Sequence, residues 1–510
     1  MEKASFEAKM REFREMTEKF YKGEISVKEY KAFSGYYGSY AQKGAKSSMV
    51  RLRAAGGELD KDKLSFIADC ISRYKVEMVH VTTCQALQLH GLSGDNAAKV
   101  IEEAFEHGIV TLGGGGDYAR NVTASPLSGV EKGEAFDVLP YARAAEDYLL
   151  RLVGVVKLPR KLKVGFSNSK KNETHATFRD LGFLANKDGT FDVYSAGGLG
   201  NEPKKGLLVA KGLDPKDTLR CIRAMVRMFI AHGNFQDRSK ARTRYMQETL
   251  GTAGYIKTFK KQLDMSIKEG GLDVELGTHV VNKTGDGTVK NPRAIPQKQD
   301  GLYAVSYHPI GGDPVPSEFG KISDAIKDLL GVEVRLSPDQ TIYIINCTAK
   351  EAEKVLKATD DGARTLFESS ISCVGNTICQ IGLRDSHGLL ENLVKMSRKD
   401  KFADGVLPRV HISGCTSSCG SHQIGVIGFQ GASARVNGRT VPAFKVSVSG
   451  SHLAGKERFG DAIGTMTQSD IPKFMEEIGN AVTASKKDFM SWFKDRKAFD
   501  AIAAKYLVKE

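Results

Sequence analysis

The sequence predicts an α+β protein whose core consists of two similar halves. A strand–helix–strand pattern early in the chain is predicted at 49–53, 61–74 and 78–83. The same kinds of element return later, as a helix, two strands and a further helix at 320–330, 333–336, 341–346 and 350–357. Elements repeated in the same order predict a duplicated unit with pseudo-two-fold symmetry and a site between its halves.

A short motif marks a similar place in each half. Leu158-Pro159-Arg160 precedes a strand-like run and then Gly182-Phe183, and Leu407-Pro408-Arg409 precedes a similar run and then Gly428-Phe429. A tripeptide alone is short enough to recur by chance. Together with the shared order of elements, it favours a duplication.

Length and composition indicate a globular protein with more than one core. The chain has 510 residues, of which 41% are hydrophobic and 26% charged, and single cores stop growing at about 250–300 residues. No apolar run approaches the roughly 20 residues that span a bilayer. The first residues mix charges of both signs and lack the apolar segment of a secretory signal, so we expect a cytoplasmic protein with no membrane partner.

The charge balance is basic, with 74 Lys and Arg residues against 61 Asp and Glu residues and a net charge of +13. Such a surface attracts nucleic acids, acidic proteins or anionic ligands, although a solvated basic face gives the same composition. The cations are spread along the chain and are not interleaved with aromatic residues. A single-strand nucleic-acid platform is therefore not predicted.

Four of the eight cysteines form two closely spaced pairs. Cys373 and Cys379 are separated by five residues, and Cys415 and Cys419 by three. Four thiolates can hold zinc or an iron–sulfur cluster. Zinc ribbons usually use tighter spacings around their smaller ion. The wider spacing favours a cluster, with zinc and ordinary core cysteines as alternatives.

The other cysteines are predicted to have different roles. Cys70, Cys221 and Cys347 lie within apolar stretches, where a buried cysteine acts as a small hydrophobic residue. Cys84 follows paired threonines and is considered below.

Cations alternate with apolar residues at two places. Arg51 and Arg53 share one face of a predicted strand, and Lys161 and Lys163 share one face of another. Arg120 follows the glycine run 113–116, and further cations are expected at a helix start within 238–244. Taken singly, a cation group of this kind most often lies on a solvated strand edge. Together, beside glycine-rich turns, they predict a pocket for a polyanion.

The glycine run does not predict a nucleotide site. It lacks the following Gly-Lys-Ser/Thr of a P-loop, and no Gly-x-Gly-x-x-Gly opens a helix after a strand. With no nicotinamide or flavin site in view, any electrons are expected to come from a partner protein.

These motifs resemble the siroheme-dependent sulfite and nitrite reductase family over nearly the whole chain. Similar segments include both cysteine motifs and four stretches rich in cations or threonine, at 49–53, 82–88, 117–122 and 158–163. The resemblance implies the family's internally duplicated α+β fold, with siroheme between the halves.

The resemblance also implies cofactors and site residues. A 4Fe–4S cluster would be held by Cys373, Cys379, Cys415 and Cys419, and Cys419 would also ligate the siroheme iron. Four cations match those that surround the substrate in the family, namely Arg51, Arg120, Lys161 and Lys163. Siroheme, which carries many carboxylates, would further contact Arg53, Gln88, Asn121, Arg242 and Arg244.

The resemblance divides the chain into five parts. These are an N-terminal helical segment, a ferredoxin-like repeat, a siroheme and substrate domain, a second ferredoxin-like repeat, and a cluster and siroheme-binding domain, at 1–45, 46–135, 136–300, 301–365 and 366–510.

The activity that the resemblance implies is multi-electron reduction of sulfite to sulfide, with ferredoxin or a similar acidic protein as donor. Reduction of nitrite to ammonia is the alternative. Lys163 favours sulfite, because nitrite-type members tend to have asparagine there and sulfite carries more negative charge. A less favoured hypothesis is a four-cysteine zinc protein that binds nucleic acid.

Cys84 is a departure from the family, which commonly has arginine after the paired threonines. The departure removes an expected partner for a siroheme carboxylate. A thiol at this position predicts either a packing role or a reactive fifth cysteine near the site.

Overall fold

The computed structural model describes residues 3–274, 276 and 281–509, so the first and last predicted segments extend slightly beyond the described residues. We refer to residues 3–274 as the first half and to residues 281–509 as the second half. No helix among the described residues is long and apolar enough to cross a membrane.

The first half alternates helices and strands along its length. Its helices are α1 (Lys3–Tyr21), α2 (Val27–Ser34), α3 (Lys61–Arg73), α4 (Gly94–Glu106), α5 (Leu139–Leu152), α6 (Thr218–His232), α7 (Met246–Thr249) and α8 (Gly251–Glu269). Its strands are β1 (Ser39–Ala41), β2 (Ser48–Leu52), β3 (Glu58–Leu59), β4 (Met78–Val81), β5 (Leu87–Leu92), β6 (Thr123–Ala124), β7 (Val164–Ser167), β8 (Leu181–Ala185), β9 (Phe191–Ser195) and β10 (Leu207–Leu213).

The second half follows a similar plan. Its helices are α9 (Pro316–Ile326), α10 (Ala349–Ala358), α11 (Gly375–Ile378), α12 (Ser386–Lys399), α13 (Ile471–Ser485), α14 (Phe489–Trp492) and α15 (Arg496–Tyr506). Its strands are β11 (Ala294–Pro296), β12 (Tyr303–Tyr307), β13 (Glu333–Leu336), β14 (Ile342–Cys347), β15 (Ile371–Ser372), β16 (Val410–Ser413), β17 (Ile427–Val436), β18 (Arg439–Val448) and β19 (Asp461–Thr467).

Two sheets, one in each half, have the same strand order and directions. In the first site sheet, β6, β7 and β8 are parallel neighbours, and β9 and β10 continue it antiparallel. In the second site sheet, β15, β16 and β17 are parallel, and β18 and β19 continue it antiparallel. The mixed α+β class is confirmed, and the four sheets are consistent with repeated halves.

The other two sheets pack into one shared core. Their orders are β1-β2-β5-β4 and β11-β12-β14-β13-β3, so β3 from the first half completes a sheet of the second. Helix α3 packs against α9 between them. Buried residues of both halves, including Val50, Ile67, Ile322 and Leu336, belong to this single hydrophobic cluster.

Two buried glutamines cross between the halves. Gln85 Nε2 donates to the carbonyl of Leu336 at 2.6 Å, and Gln340 Nε2 donates to the carbonyl of Val81 at 3.2 Å. Both glutamines have a positive φ, 55° and 72°. Each side chain therefore donates a hydrogen bond to the last backbone carbonyl of a strand in the opposite half.

Several predicted elements are confirmed, and two need correction. The N-terminal helical segment predicted over residues 1–45 is divided into two helices, because Gly23 has a φ of 79° and Ser26 begins α2 with a capping box. The strand predicted from Lys161 begins only at Val164. The segment between the two cysteine pairs, for which no element was predicted, contains the 14-residue helix α12.

The two Leu-Pro-Arg motifs do not occupy equivalent places. Leu158 lies six residues before the start of β7, whereas Leu407 lies three residues before the start of β16. The two glycines do correspond, since Gly182 and Gly428 are each the second residue of β8 and β17. A Cβ atom there would lie 1.9 Å and 2.0 Å from a backbone carbonyl oxygen, so only glycine fits.

Candidate active site

The four predicted cysteines come together at one edge of the second site sheet. Cys373 directly follows β15, and Cys415 lies two residues beyond β16. Because β15 and β16 are parallel neighbours, the loops that follow them leave the same edge. Cys379 ends the one-turn helix α11, and its thiol is close enough to Cys415 and Cys419 for their charges to affect it.

Cys419 has a dense protein environment although its side chain is exposed. Burial is the main cause that raises the pKa of its thiol to about 11, and Cys373 adds to the effect while Lys161 and Lys163 oppose it. The exposure of the same side chain means that it borders open space. A thiol on the wall of an internal recess has both properties.

The thiols are spaced more widely than a zinc site requires. In the described part of the chain, the sole group of three His, Cys, Asp or Glu ligand atoms within 4.8 Å of one another is His80, Asp313 and His387. No three of the four cysteine sulfurs are therefore that close. Zinc–sulfur bonds of about 2.3 Å would place tetrahedral ligands roughly 3.8 Å apart. The donor set fits a larger cluster of iron and sulfur better.

Glycines let the cysteine loops pack closely. A Cβ atom on Gly375 would lie 2.9 Å from the backbone nitrogen of Ser386, and one on Gly414 would lie 2.5 Å from the carbonyl oxygen of Arg384. Gly414 also donates its N–H to Cys373 Sγ at 3.2 Å. Such N–H donors stabilise a thiolate ligand.

Arg51 and Arg120 are held by the glycine run that precedes Arg120 in the sequence. Arg120 donates to the carbonyls of Gly115 and Gly116, each at 2.7 Å. Arg51 donates to the carbonyl of Gly114. Neutral carbonyls fix both guanidinium groups without cancelling their charge.

Lys161 and Lys163 flank the fully buried Leu162 and lie beside the same cations. Burial is the largest cause that lowers the pKa of Lys161 well below its usual value, followed by the charges of Lys163, Arg242 and Arg120. Like charges so close together repel one another. A bound anion would relieve that repulsion.

Cys84 faces this group of cations. Burial acts to raise the pKa of its thiol, but Lys163, Arg179 and Arg51 outweigh burial and lower that pKa to about 6. Its neighbour Thr83 donates from Oγ1 to the carbonyl of Cys419 at 3.0 Å, which joins the threonine segment to the cysteine loop. The predicted cations, Cys84 and the cysteine cluster therefore form one site.

Two of the predicted cofactor residues are arginines with buried N–H groups that donate to no acceptor in the described part of the chain. Arg53 pairs with Glu146, with Nε 2.7 Å from Oε1, and both side chains are almost fully buried. Arg242 pairs with Asp180, with Nη2 2.8 Å from Oδ2. Arg53 Nη2 and Arg242 Nε are buried and find no acceptor within the described residues. Unpartnered cationic N–H groups fit a ligand that carries carboxylates.

The other predicted cofactor residues are fixed by the protein. Gln88 accepts hydrogen bonds from Arg51 once its amide is oriented to satisfy both side chains. Asn121 Oδ1 accepts from the N–H of Ala54 at 2.9 Å, and Arg244 donates to backbone carbonyls. Their contact with a cofactor stays a prediction.

Arg179 is a residue that the sequence analysis missed. It directly follows the 3-10 turn at Ala176–Phe178 and is buried beside Cys84. No motif or alternation marks it in the sequence. The fold-back of that turn toward the cations brings it into the site.

Comparison with known families decides the assignment. Residues 40–106 match the family described as the nitrite/sulfite reductase ferredoxin-like half domain. Residues 115–267 match the nitrite and sulphite reductase 4Fe-4S domain. The first half of the chain therefore carries two domains of the nitrite and sulfite reductase family. The protein is an oxidoreductase, as the resemblance implied, and the matched regions contain all four predicted substrate cations but end before the cysteine motifs.

Individual relatives of this reductase cover most of its length. A ferredoxin–nitrite reductase of Synechococcus elongatus is 26% identical, over 84% of this chain and 85% of that protein. Sulfite reductase (ferredoxin) 1 of Mycolicibacterium paratuberculosis is 21% identical, over 88% and 82%. The structure of the Mycobacterium tuberculosis NirA protein superposes with a TM-score of 0.76 at 21% identity, covering 89% of this chain and 87% of that one. This last similarity confirms the fold.

Proposed function

We propose that this protein is a siroheme-dependent reductase that converts sulfite to sulfide with electrons from ferredoxin. The observation that carries the proposal is the meeting of the four cysteines with a group of cations around Cys419, where Lys161 and Lys163 affect the Cys419 thiol directly. Redox cofactor and anion pocket would then share one wall.

The residues present suit both proposed cofactors. The four thiols would hold a 4Fe–4S cluster, and the unpartnered donors of Arg53 and Arg242 would bind siroheme carboxylates. Gln88, Asn121 and Arg244 would line the same cofactor, and Cys419 would help to hold both groups. When bound, these groups would supply the metal site for the oxyanion and the path for its electrons.

The protein's own part in the reaction is to hold the anion and deliver protons. Arg51 and Arg120, fixed by carbonyls, would position the oxyanion oxygens. Burial and the neighbouring cations lower the pKa of Lys161, which makes its ammonium a better proton donor to an oxygen that leaves as water.

Two substrates fit this pocket. Lys163, the second lysine of the pair, favours sulfite because an additional cation binds the more highly charged anion better. Nitrite is the second candidate, and the names of relatives such as the Synechococcus elongatus and Haloferax mediterranei nitrite reductases favour it.

The proposal extends to the donor and to the fold. Ferredoxin is named as donor in the relatives, and a net charge of +13 suits a small acidic protein. The shared strand order of the two site sheets and the crossed glutamines Gln85 and Gln340 support an internal duplication with siroheme between its halves.

Purified protein tests the proposal directly. We expect iron, acid-labile sulfide and a heme-like absorption spectrum, and consumption of sulfite and nitrite when reduced methyl viologen supplies electrons. Zinc in place of iron, with no tetrapyrrole band, would overturn the proposal and revive the zinc hypothesis.

A further inference from the structure

Two turns with the same hydrogen bonds occupy equivalent places in the two halves. In the turns 82–86 and 337–341, the first residue donates its N–H to the carbonyl of the fifth, at 2.9 Å and 2.8 Å. The fourth residue donates its N–H to the carbonyl of the first, at 2.9 Å and 3.0 Å. Cys84 is the third residue of one turn, and Asp339 is the third residue of the other.

A cation faces each of these third residues. Lys163 directly precedes β7, and Arg409 directly precedes β16, the equivalent strand of the second site sheet. In the second half, Arg409 Nη1 lies 2.8 Å from Asp339 Oδ2. In the first half, Lys163 lies close enough to Cys84 that its charge lowers the pKa of that thiol more than any other cation does. Cys84 thus has the place beside Lys163 that Asp339 has beside Arg409.

The surroundings of the two pairs differ in charge. Arg51 lies four residues before the turn at Ala55–Gly57, and its equivalent four residues before the turn at Ile310–Gly312 is Ser306. Arg179 directly follows the turn at Ala176–Phe178, and Gly425 directly follows the turn at His422–Ile424. The first half therefore gathers cations where the second half has neutral residues.

The thiol of Cys84 carries negative charge in this setting. Burial favours the neutral form, but the cations facing it, Lys163, Arg179 and Arg51, keep its pKa at about 6. Arg120 is a fourth cation near enough to interact with it. At neutral pH most of the thiol is then ionised and offsets one positive charge of the pocket.

We propose that Cys84 sets the anion preference of the site by partly cancelling the charge of Lys163. The inference rests on the proposed function and deepens it. Sulfite is partly a dianion near neutral pH, whereas nitrite is a monoanion. When a thiolate cancels part of one positive charge in the pocket, binding of the dianion weakens more than binding of the monoanion. Cys84 would thereby let a two-lysine pocket accept both.

Substitutions at Cys84 separate charge from packing. Cys84→Ala and Cys84→Ser both remove the charge, and each should raise the ratio of the sulfite kcat/KM to the nitrite kcat/KM on the order of tenfold. Cys84→Asp restores an anion and should keep that ratio near the wild-type value. A packing role predicts the opposite order, with the near-isosteric serine closest to wild type.

Alkylation gives a second readout that is independent of turnover. The rate at which iodoacetamide modifies Cys84, followed by peptide mass spectrometry, should titrate with a pKa of about 6 in the holoenzyme. In Lys163→Met that pKa should rise. An ordinary thiol pKa in the wild type, or an unchanged substrate ratio in Cys84→Ala, would overturn the inference alone. A holoenzyme that reduces neither anion would overturn the proposed function as well.

Discussion

At the scale of single residues, the site fixes two of its arginines with neutral acceptors. Arg120 and Arg51 are anchored by carbonyls of the run 113–116. Arg53, by contrast, is paired with the buried carboxylate of Glu146. The carbonyls leave the charge of the first two available to an anion, so we propose substrate binding for them and cofactor binding for Arg53.

Removing one lysine tests the substrate assignment. Lys163→Asn should lower the sulfite kcat/KM more than the nitrite kcat/KM, since a lost charge-assisted contact costs about 1.5–3 kcal/mol, or roughly ten- to a hundredfold. Steady-state kinetics with both anions would measure it. The exposed Lys261 of α8 provides a control, because Lys261→Asn should leave both values unchanged. Equal losses on the two substrates would contradict the assignment.

The sequence predicted these residues to different degrees. Alternation around Leu162 identified Lys161 and Lys163, because extended chain puts alternate side chains on one face whether or not a strand forms. The cysteines were predicted from spacing and residue type. Arg179 and the ionised state of Cys84 depend on how separate loops meet, which no local pattern records.

At the scale of elements, the halves are joined by two carboxylates, each held between two basic side chains. The carboxylate of Glu58, the first residue of β3, lies 2.6 Å from Arg143 Nε of α5 and 3.7 Å from Arg335 Nη2 of β13. Two arginines give this triad a charge that does not depend on pH in the physiological range.

The equivalent triad of the other half uses histidines. Asp313 accepts from His80 Nδ1 of β4 at 2.5 Å and from His387 Nδ1 of α12 at 2.9 Å. Burial acts to lower the pKa of His387, but Asp313, with smaller contributions from Asp385 and Glu391, raises it above the usual value. This junction is therefore sensitive to pH.

The two triads predict different pH profiles of stability. A raised histidine pKa stabilises the fold fully below the unfolded value of about 6.5 and loses that contribution as pH rises through the folded value. The difference in apparent Tm between wild type and Asp313→Asn should therefore shrink as pH is raised above about 6.5. Thermal unfolding at a fixed scan rate would measure it.

Glu58→Gln is the matched control, because arginine partners keep its Tm difference constant over the same range. A constant difference for Asp313→Asn as well would contradict the assignment of charge to His387.

The elements themselves were predicted well where hydrophobic periodicity is strong. The strand at 333–336 agrees with β13, and the helix at 350–357 lies within α10. The Leu-Pro-Arg motifs predicted equivalent places wrongly, because the segment from Leu407 to the start of β16 is three residues shorter than the segment from Leu158 to the start of β7. Strand order is the same in the two site sheets, while loop length is not.

At the scale of the whole molecule, one scaffold carries two specialised edges. The position two residues beyond β7 is Ser169, where β16 is followed by Cys415. The position three residues before the turn at Ala176–Phe178 is Glu173, where the second half has Cys419. Cations thus gather in the first half and thiols in the second, and both sets meet at the junction.

The overall charge predicts how the proposed donor is recruited. Electrostatic steering by a +13 protein should make turnover with ferredoxin fall as ionic strength rises, since the screening length is already about 8 Å at physiological salt. Rates with reduced ferredoxin across a salt series would show it. Turnover with methyl viologen, a small donor that needs no docking surface, serves as the control and should change less. A turnover rate with ferredoxin that does not change with ionic strength would contradict electrostatic steering.

The crossed glutamines and the strand β3 have a consequence for the chain's connectivity. Each half lends backbone partners to the other, through Gln85, Gln340 and the pairing of Leu59 with Val334. A half expressed alone would leave strand edges bare and should aggregate. Two fragments divided within the exposed stretch 286–288 and produced together should assemble into one active particle, as co-purification and viologen-linked turnover would reveal. After the two halves became interlocked in this way, neither could be lost or exchanged as a separate module.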